Sequence, residues 1–256
     1  MGRILLYIEY DGTEYAGWQR QENALSVQQV VEECLAKLTG ESITITGAGR
    51  TDAGVHAAFQ AAHFDSDSKI PPDRFAYALN FILPPSIRIK KSMAVPDDFH
   101  ARYSAAAKWY RYTVYNHPHA SALNRMTNYH VRDLLDVEMM DKTAKDMAGT
   151  HDFAAFAASG AVQKTTVRTV YDARTVKDGD FVYIDIKGNG FLYNMVRIFS
   201  GTLIEIGRHR IDPDAIKNMI ETKDRLAGGP TAPARGLTLM KVYYEFDEDR
   251  FIPFNS

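Results

Sequence analysis

Gly47-Ala48-Gly49-Arg50-Thr51-Asp52-Ala53-Gly54-Val55-His56-Ala57 sets the reading of the whole chain. Upstream, Ser42–Thr46 alternates β-branched and polar residues, the period-two pattern of a half-buried strand. Downstream, Val55–Phe64 is rich in alanine and fits strand or helix by periodicity. The glycines between them permit positive φ or the close approach of a ligand. Arg50 and Asp52 are one residue apart, so an extended loop turns both to one side. A carboxylate and a guanidinium on a tight, strand-bounded turn can hold a reacting group rigidly. A dinucleotide fingerprint needs glycine where Asp52 stands, and a P-loop needs Gly-Lys-Ser/Thr, which is absent. A plain turn capped by Asp52 competes with the active-site reading on equal terms.

Working outward, Arg3–Tyr10 reads as a strand closed by an Asp11-Gly12 turn. In the loop Tyr15–Gln21, Trp18 reads as a core anchor in preference to an RNA-facing aromatic. Ser26–Gln29 is a capping box, with Leu25 and Val30 as its hydrophobic staple. The helix it opens carries Val27, Val30, Val31, Cys34, Leu35 and Leu38 on one face and ends at Gly40. Cys34 therefore belongs to packing. A second helix, Asp73–Ile82, packs through Phe75, Leu79 and Ile82 until Pro84-Pro85 stops it, and Ser86–Val95 is again a strand. Strand, helix, strand, strand, helix, strand is the ferredoxin-like split βαβ order.

The second half repeats that order. Lys108–Asn116 is a strand, and Asp136–Ala148 is a helix with Val137, Met140, Ala144 and Met147 inward. Val167–Val176 and Phe181–Lys187 form a hairpin across Lys177–Asp180. Phe191–Ile206 is a helix, Asp212-Pro213 opens an added one, and Leu237–Phe246 is the last strand. The fold class is α+β: two ferredoxin-like (βαββαβ) halves joined into one extended, mainly antiparallel sheet, with helices on one side and a central cleft. The halves are expected at 1–104 and 105–256, with the boundary near Ala101–Ala107.

Two further clusters carry chemistry. In the strand Lys108-Trp109-Tyr110-Arg111-Tyr112, Lys108, Tyr110 and Tyr112 share one face, and Trp109, Arg111 and Thr113 the other. Aromatics interleaved with cations suit base stacking and phosphate pairing. A buried aromatic face opposite a snorkelling basic face explains the same pattern. In Gly188-Asn189-Gly190-Phe191-Leu192-Tyr193-Asn194-Met195-Val196-Arg197, Asn189 is the expected cap. Arg197 interrupts an apolar helix on a face shared with Tyr193, Asn194, Ser200 and Gly201. Such a face fits either a close backbone neighbour with a buried partner for Arg197 or plain exposure. Basic residues also gather at Arg111, Arg125, Arg132, Lys164, Arg168, Arg174 and Lys177, with His117, His119 and His130 among them. Acidic residues concentrate at Asp136–Asp146 and Glu245–Asp249. A nearly neutral chain can thereby present a positive surface.

Composition narrows the classes. The 256 residues are 45% hydrophobic and 24% charged, with net charge −2, which describes an ordinary globular chain. One cysteine excludes an internal disulfide framework and suits a reducing compartment. No long run is free of charge, no signal-peptide pattern precedes the first strand, and no paired His or Cys spacing suits zinc. His56 and His63, close to the central stretch, read as satisfied structural histidines.

Gly49-Arg50-Thr51-Asp52-Ala53-Gly54-Val55-His56-Ala57 resembles the signature of the tRNA pseudouridine synthase A family. The likeness extends to Tyr10-Asp11-Gly12 through Trp18, to both clusters above, and to Ala232-Pro233-Ala234-Arg235-Gly236-Leu237. It implies isomerisation of uridine to pseudouridine at tRNA positions 38, 39 and 40, on the 3′ side of the anticodon stem-loop. The glycosidic bond is cut, the base rotates and rejoins through carbon, and no cofactor or metal is needed. Asp52 would be the nucleophile, at the sugar or at the uracil ring. Arg50 would help extrude the target nucleotide, and Tyr110 would stack on uracil and assist the last proton removal. Arg197 would pair with Asp52 and hold it ionised. Arg111, beside Tyr110, joins Arg50 and Tyr110 as a substrate-binding residue. The implied setting is cytoplasmic, with a homodimer holding tRNA, and no membrane. Two other classes fit parts of the pattern: a tRNA-binding protein or chaperone without catalysis, and a small-molecule enzyme using the Gly-rich loop for an anion.

Overall fold

A computed structural model describes residues 2–158, 165–247 and 254. Lys164 and the end of the acidic run, Glu248 and Asp249, lie outside the described residues. The chain is α+β, and its contacts divide it into two compact units. One comprises Met1–Ala106 with Leu239–Asp247, the other Ala107–Thr238 with Phe254.

The first unit begins with β1 (Gly2–Tyr10) and α1 (Val27–Thr39). The Ser26 Oγ accepts the Gln29 N–H at 3.2 Å, and Gly40 ends the helix in the left-handed region at φ 76°. The Gln29 side chain turns to Glu33 instead of back to Ser26, so the box is only half made. Val27, Val31, Cys34 and Leu35 are buried along the expected stripe. Ser42–Thr46 departs from expectation, because only Thr46–Gly47 (β2) is strand. The buried Glu32 carboxylate accepts the Ile45 N–H at 3.1 Å, and the Gln28 amide donates to the Ile45 carbonyl. Side chains from α1 thus occupy groups that a ladder would otherwise use.

The alanine-rich segment becomes β3 (His56–Ser66), paired with β1 from Gly2↔Ser66 to Tyr10↔Ala57. Then come α2 (Phe75–Ile82) and β4 (Ile87–Val95), which completes the order β4-β1-β3 with β2 on β3. Every pairing among these four strands is antiparallel, as the split βαβ order requires. Ile82, expected inward, is 40% exposed, and Leu83 one residue later takes the buried position.

The second unit opens with β5 (Ala107–Asn116), where burial alternates strictly over Tyr110, Tyr112, Val114 and Asn116. A short β6 (Tyr129–Val131) runs parallel to it, and α3 (Val137–Ala144) follows, capped by Asp136. The expected helix to Ala148 tightens into a 3-10 turn at Lys145–Met147. A four-residue β7 (Gly149–Asp152) and the hairpin β8 (Val167–Asp178) and β9 (Phe181–Gly188) give the order β5-β9-β8-β7.

The fourth expected helix starts late. α4 spans Met195–Gly207, not Phe191–Ile206, because Asn194 sits at φ 61° and breaks the helical path. Asn189 does not cap it; its Oδ1 accepts the Thr169 N–H at 3.0 Å. α5 (Ala215–Thr222) and β10 (Leu237–Tyr243) end the described elements. From Leu239 onward, β10 belongs to the first unit, beside β3.

Candidate active site

The Asp52 loop is framed by glycines whose neighbours stand too close for any side chain, backbone at Gly12 and Gly17 and the Trp18 indole at Gly47. A Cβ at Gly12 would stand 2.0 Å from the Val55 carbonyl oxygen. At Gly17, where φ is +91°, it would stand 2.4 Å from the Thr51 carbonyl oxygen and 3.1 Å from the Asp52 carbonyl carbon. At Gly47 it would meet the Trp18 Nε1 at 2.4 Å. Trp18 is 3% exposed, the core anchor expected, and its backbone N–H donates to the Thr51 carbonyl at 3.1 Å. The turn closes when the Val55 N–H donates to the Asp52 carbonyl at 3.1 Å, with Gly54 at φ 77°.

Side chains complete the frame. The Tyr10 and Thr51 hydroxyls meet at 2.8 Å, both buried. Gln60, fully buried in β3, donates from Nε2 to the Gly49 carbonyl at 2.9 Å. Burial pushes the Tyr10 phenol well above its ordinary value, and bonds to Thr51 and Gln60 only partly oppose this. His56 accepts the Gly12 N–H on Nδ1 at 3.0 Å, with the Asp11 carboxylate at 3.2 Å, which gives it a structural role. Asp52 is half-buried and Arg50 exposed. The Asp52 carboxylate therefore stands on a turn held by close backbone contacts and hydrogen bonds, while the guanidinium two residues away reaches solvent.

Within the second unit, Tyr110 is 8% exposed and packs edge-to-face on Phe191, centroids 5.3 Å apart. Tyr112, on the same strand face, is fully buried and donates its hydroxyl to the Pro233 carbonyl at 2.8 Å. On the opposite face, Arg111 forms a two-pronged pair with the fully buried Asp185, Nε–Oδ1 at 2.8 Å and Nη2–Oδ2 at 2.9 Å. Trp109 Nε1 and Arg174 Nε also donate to Asp185, at 2.9 and 3.2 Å. The Arg111–Asp185 bond raises the Arg111 pKa against the lowering effect of burial. The strand thus has the buried aromatic face that packing alone anticipates, backed by a face of cations and aromatics.

Arg197 lies in the first turn of α4. Its Nε donates to the Ala232 carbonyl and its Nη1 to the Asn194 Oδ1, both at 2.8 Å. The Ala232 N–H returns to the Arg197 carbonyl at 3.0 Å, and a Cβ at Gly201 would stand 1.8 Å from the Pro230 carbonyl oxygen. The small face of α4 is therefore pressed against the backbone of residues 230–232. Of the remaining cations, Arg125, Arg132 and Lys177 are exposed.

Two contributors were not singled out from sequence. Gln60 carried a signal, as the lone amide on an alanine-rich strand. Thr51 was hidden inside the motif by its neighbours. Asn194 was placed on the Arg197 face, but its left-handed backbone leaves no trace in periodicity.

The sequence model described as tRNA pseudouridine synthase matches residues 6–104 and 143–245. A tRNA pseudouridine synthase A of Ruminiclostridium cellulolyticum is 52% identical over 245 residues, 95% of this chain and 100% of its own length. That of Acetivibrio thermocellus is 51% identical over 244 residues, again 95% and 100%. That of Syntrophotalea carbinolica is 49% identical over 244 residues, 95% and 97%. Among solved structures, a Cbf5-Nop10-Gar1 complex aligns with TM-score 0.39 and 10% identity over 97% of this chain and 52% of that one. At that distance the likeness reaches no individual residue.

Proposed function

The chain belongs to the tRNA pseudouridine synthase family, and we propose on that premise a uridine isomerase whose nucleophile is Asp52. The protein converts uridine in tRNA to pseudouridine. The observation that carries the assignment of Asp52 is its position on a turn held by Gly12, Gly17 and the Tyr10–Thr51 hydroxyl pair. A nucleophile gains most when its approach is fixed before substrate arrives.

The reaction conserves every atom of the nucleoside. The bond from C1′ to N1 breaks, the uracil turns, a bond from C1′ to C5 forms, and the proton lost from C5 is matched by one gained at N1, so the formula is unchanged. An ionised carboxylate can split this into two easier steps by attacking the sugar or the ring. Tyr110 is assigned to stack on the uracil and to assist the final proton removal. Arg197 is assigned to keep the nucleophile ionised, a task that suits a guanidinium already held by two fixed acceptors. Exposed Arg50 is assigned to help extrude the nucleotide and occupy the vacated space. Arg111 is the substrate contact with least freedom, because Asp185 engages both prongs of its fork.

The substrate site is assigned to positions 38, 39 and 40 of the anticodon arm, and the working form to a homodimer. No helix among the described residues is long and apolar enough to cross a membrane. The setting is assigned to the cytoplasm, where a tRNA substrate would be met.

The test is pseudouridine formation in unmodified tRNA with uridines in the anticodon arm, without added cofactor. Wild type should form product there. Asp52→Ala and Asp52→Asn should form none while their affinity for tRNA stays within about threefold. Tight binding with no product from wild type would leave a tRNA-binding protein. Full activity in Asp52→Asn would remove the nucleophile assignment.

A further inference from the structure

Asn194 breaks two local rules at once. Apart from glycines, only three described residues adopt positive φ, and it is one of them, at φ 61° and ψ 4°. Asparagine tolerates this region better than most residues but not as freely as glycine. It also stands at the N-cap of α4, where asparagine ordinarily accepts an N–H of the first turn. Here it makes no such bond. Its Oδ1 instead accepts from Nη1 of Arg197 at 2.8 Å. A residue that gives up both cap and relaxed backbone for one side-chain contact marks a functional constraint.

We propose that Asn194 is the positioning residue for Arg197, fixing the plane of its guanidinium for the isomerisation. The inference rests on the role assigned to Arg197 above. An arginine on a helix has several rotatable bonds, and each further acceptor narrows the swing of its guanidinium. Two acceptors on different atoms, Ala232 O on Nε and Asn194 Oδ1 on Nη1, fix both its position and its plane. The Ala232 carbonyl is itself anchored, since the Ala232 N–H bonds the Arg197 carbonyl and the Gly229 N–H bonds the Thr202 hydroxyl. The left-handed backbone brings the Asn194 amide over the first turn instead of beneath it. An extended cap would send the side chain to the N–H of Val196 or Arg197 and leave Nη1 without this acceptor.

The experiment compares Asn194→Gly and Asn194→Asp with wild type and Arg197→Lys, using single-turnover pseudouridine formation, tRNA affinity and thermal unfolding. Glycine keeps the left-handed turn and removes the amide, so the thermal midpoint should hold or rise. The single-turnover rate should still fall about tenfold or more, with tRNA affinity unchanged. Aspartate keeps an acceptor at the same place and should recover most of that rate. A purely structural role would lower the midpoint and leave the rate per folded molecule intact, and that result overturns the proposal. So does a full rate in Asn194→Gly when Arg197→Lys is impaired. A full rate in Arg197→Lys would instead remove the assignment of Arg197 itself.

Discussion

The hydroxyls of Tyr10 and Thr51 meet at 2.8 Å inside the first unit, joining the end of β1 to the residue before Asp52. Thr51 is 8% exposed and Tyr10 2%, so neither group has water to fall back on. The bond ties the proposed nucleophile's loop to the sheet by a side-chain pair independent of the glycine contacts.

Tyr10→Phe and Thr51→Val should each destabilise the protein by about 1 kcal/mol, with coupling of about 0.5 to 1 kcal/mol in the double mutant. Denaturant unfolding of the four proteins measures this. Strict additivity would show that the bond contributes nothing in solution.

Gly12→Ala should be far more harmful than an ordinary turn substitution. Its Cβ would press on the Val55 carbonyl at 2.0 Å, where backbone and not a flexible side chain must yield. We expect a loss of about 2 to 4 kcal/mol. The residual folded protein should isomerise roughly a hundredfold more slowly, since displacement of the adjacent turn misplaces Asp52. Wild-type turnover by the alanine variant would contradict the rigid-frame account.

Asp185→Ala should cost about 3 kcal/mol, because it leaves Arg111 and Arg174 facing a buried apolar gap. Asp185→Asn should cost less, retaining acceptance from Trp109 while losing the charge. Unfolding midpoints in urea at constant pH separate the two. Equal losses would mean that the charge is immaterial.

His63 predicts a pH dependence of stability. Its Nδ1 accepts the Ala101 N–H at 3.1 Å, which requires that nitrogen to be unprotonated. Burial first, then His100 and Arg3, hold its pKa below the ordinary 6.5, against the raising effects of Asp65 and the Thr46 backbone. The folded state thus binds a proton less readily than the unfolded chain. Stability is full above about pH 6.5 and falls with pH towards the depressed folded value, below which the loss stops growing. His63→Gln should flatten unfolding free energy between pH 7 and 5 relative to wild type. Parallel curves would place the titration elsewhere, with His100→Gln as the control.

Local chemistry explains what could be read directly. Ser26 and Gly40 bounded α1 because a cap and a left-handed stop are decided by neighbours a few residues away. Alternation over Tyr110, Tyr112 and Val114 identified β5 because strand burial has period two. Ser42–Thr46 had the same alternation and failed as a strand, since Glu32 and Gln28 reach its backbone from α1. β6 and β7 were invisible because strands of three and four residues carry too little pattern. α4 began four residues late because Asn194 takes a left-handed backbone at φ 61°, which leaves no mark in helical periodicity.

The sequence by itself determined the α+β class, the order of the longer elements, the Asp52 motif and the family, all written in short runs of adjacent residues. Tertiary structure alone decided how that motif is held. Gly12 and Gly17 are essential only because Val55 and Thr51 press on them, and Gln60 matters only because Gly49 lies within its reach. It also decided that Arg111 meets Asp185 and that Asn194 serves Arg197 before its own helix. Steric exclusion and hydrogen bonding act over a few ångströms of space, whatever the separation along the chain.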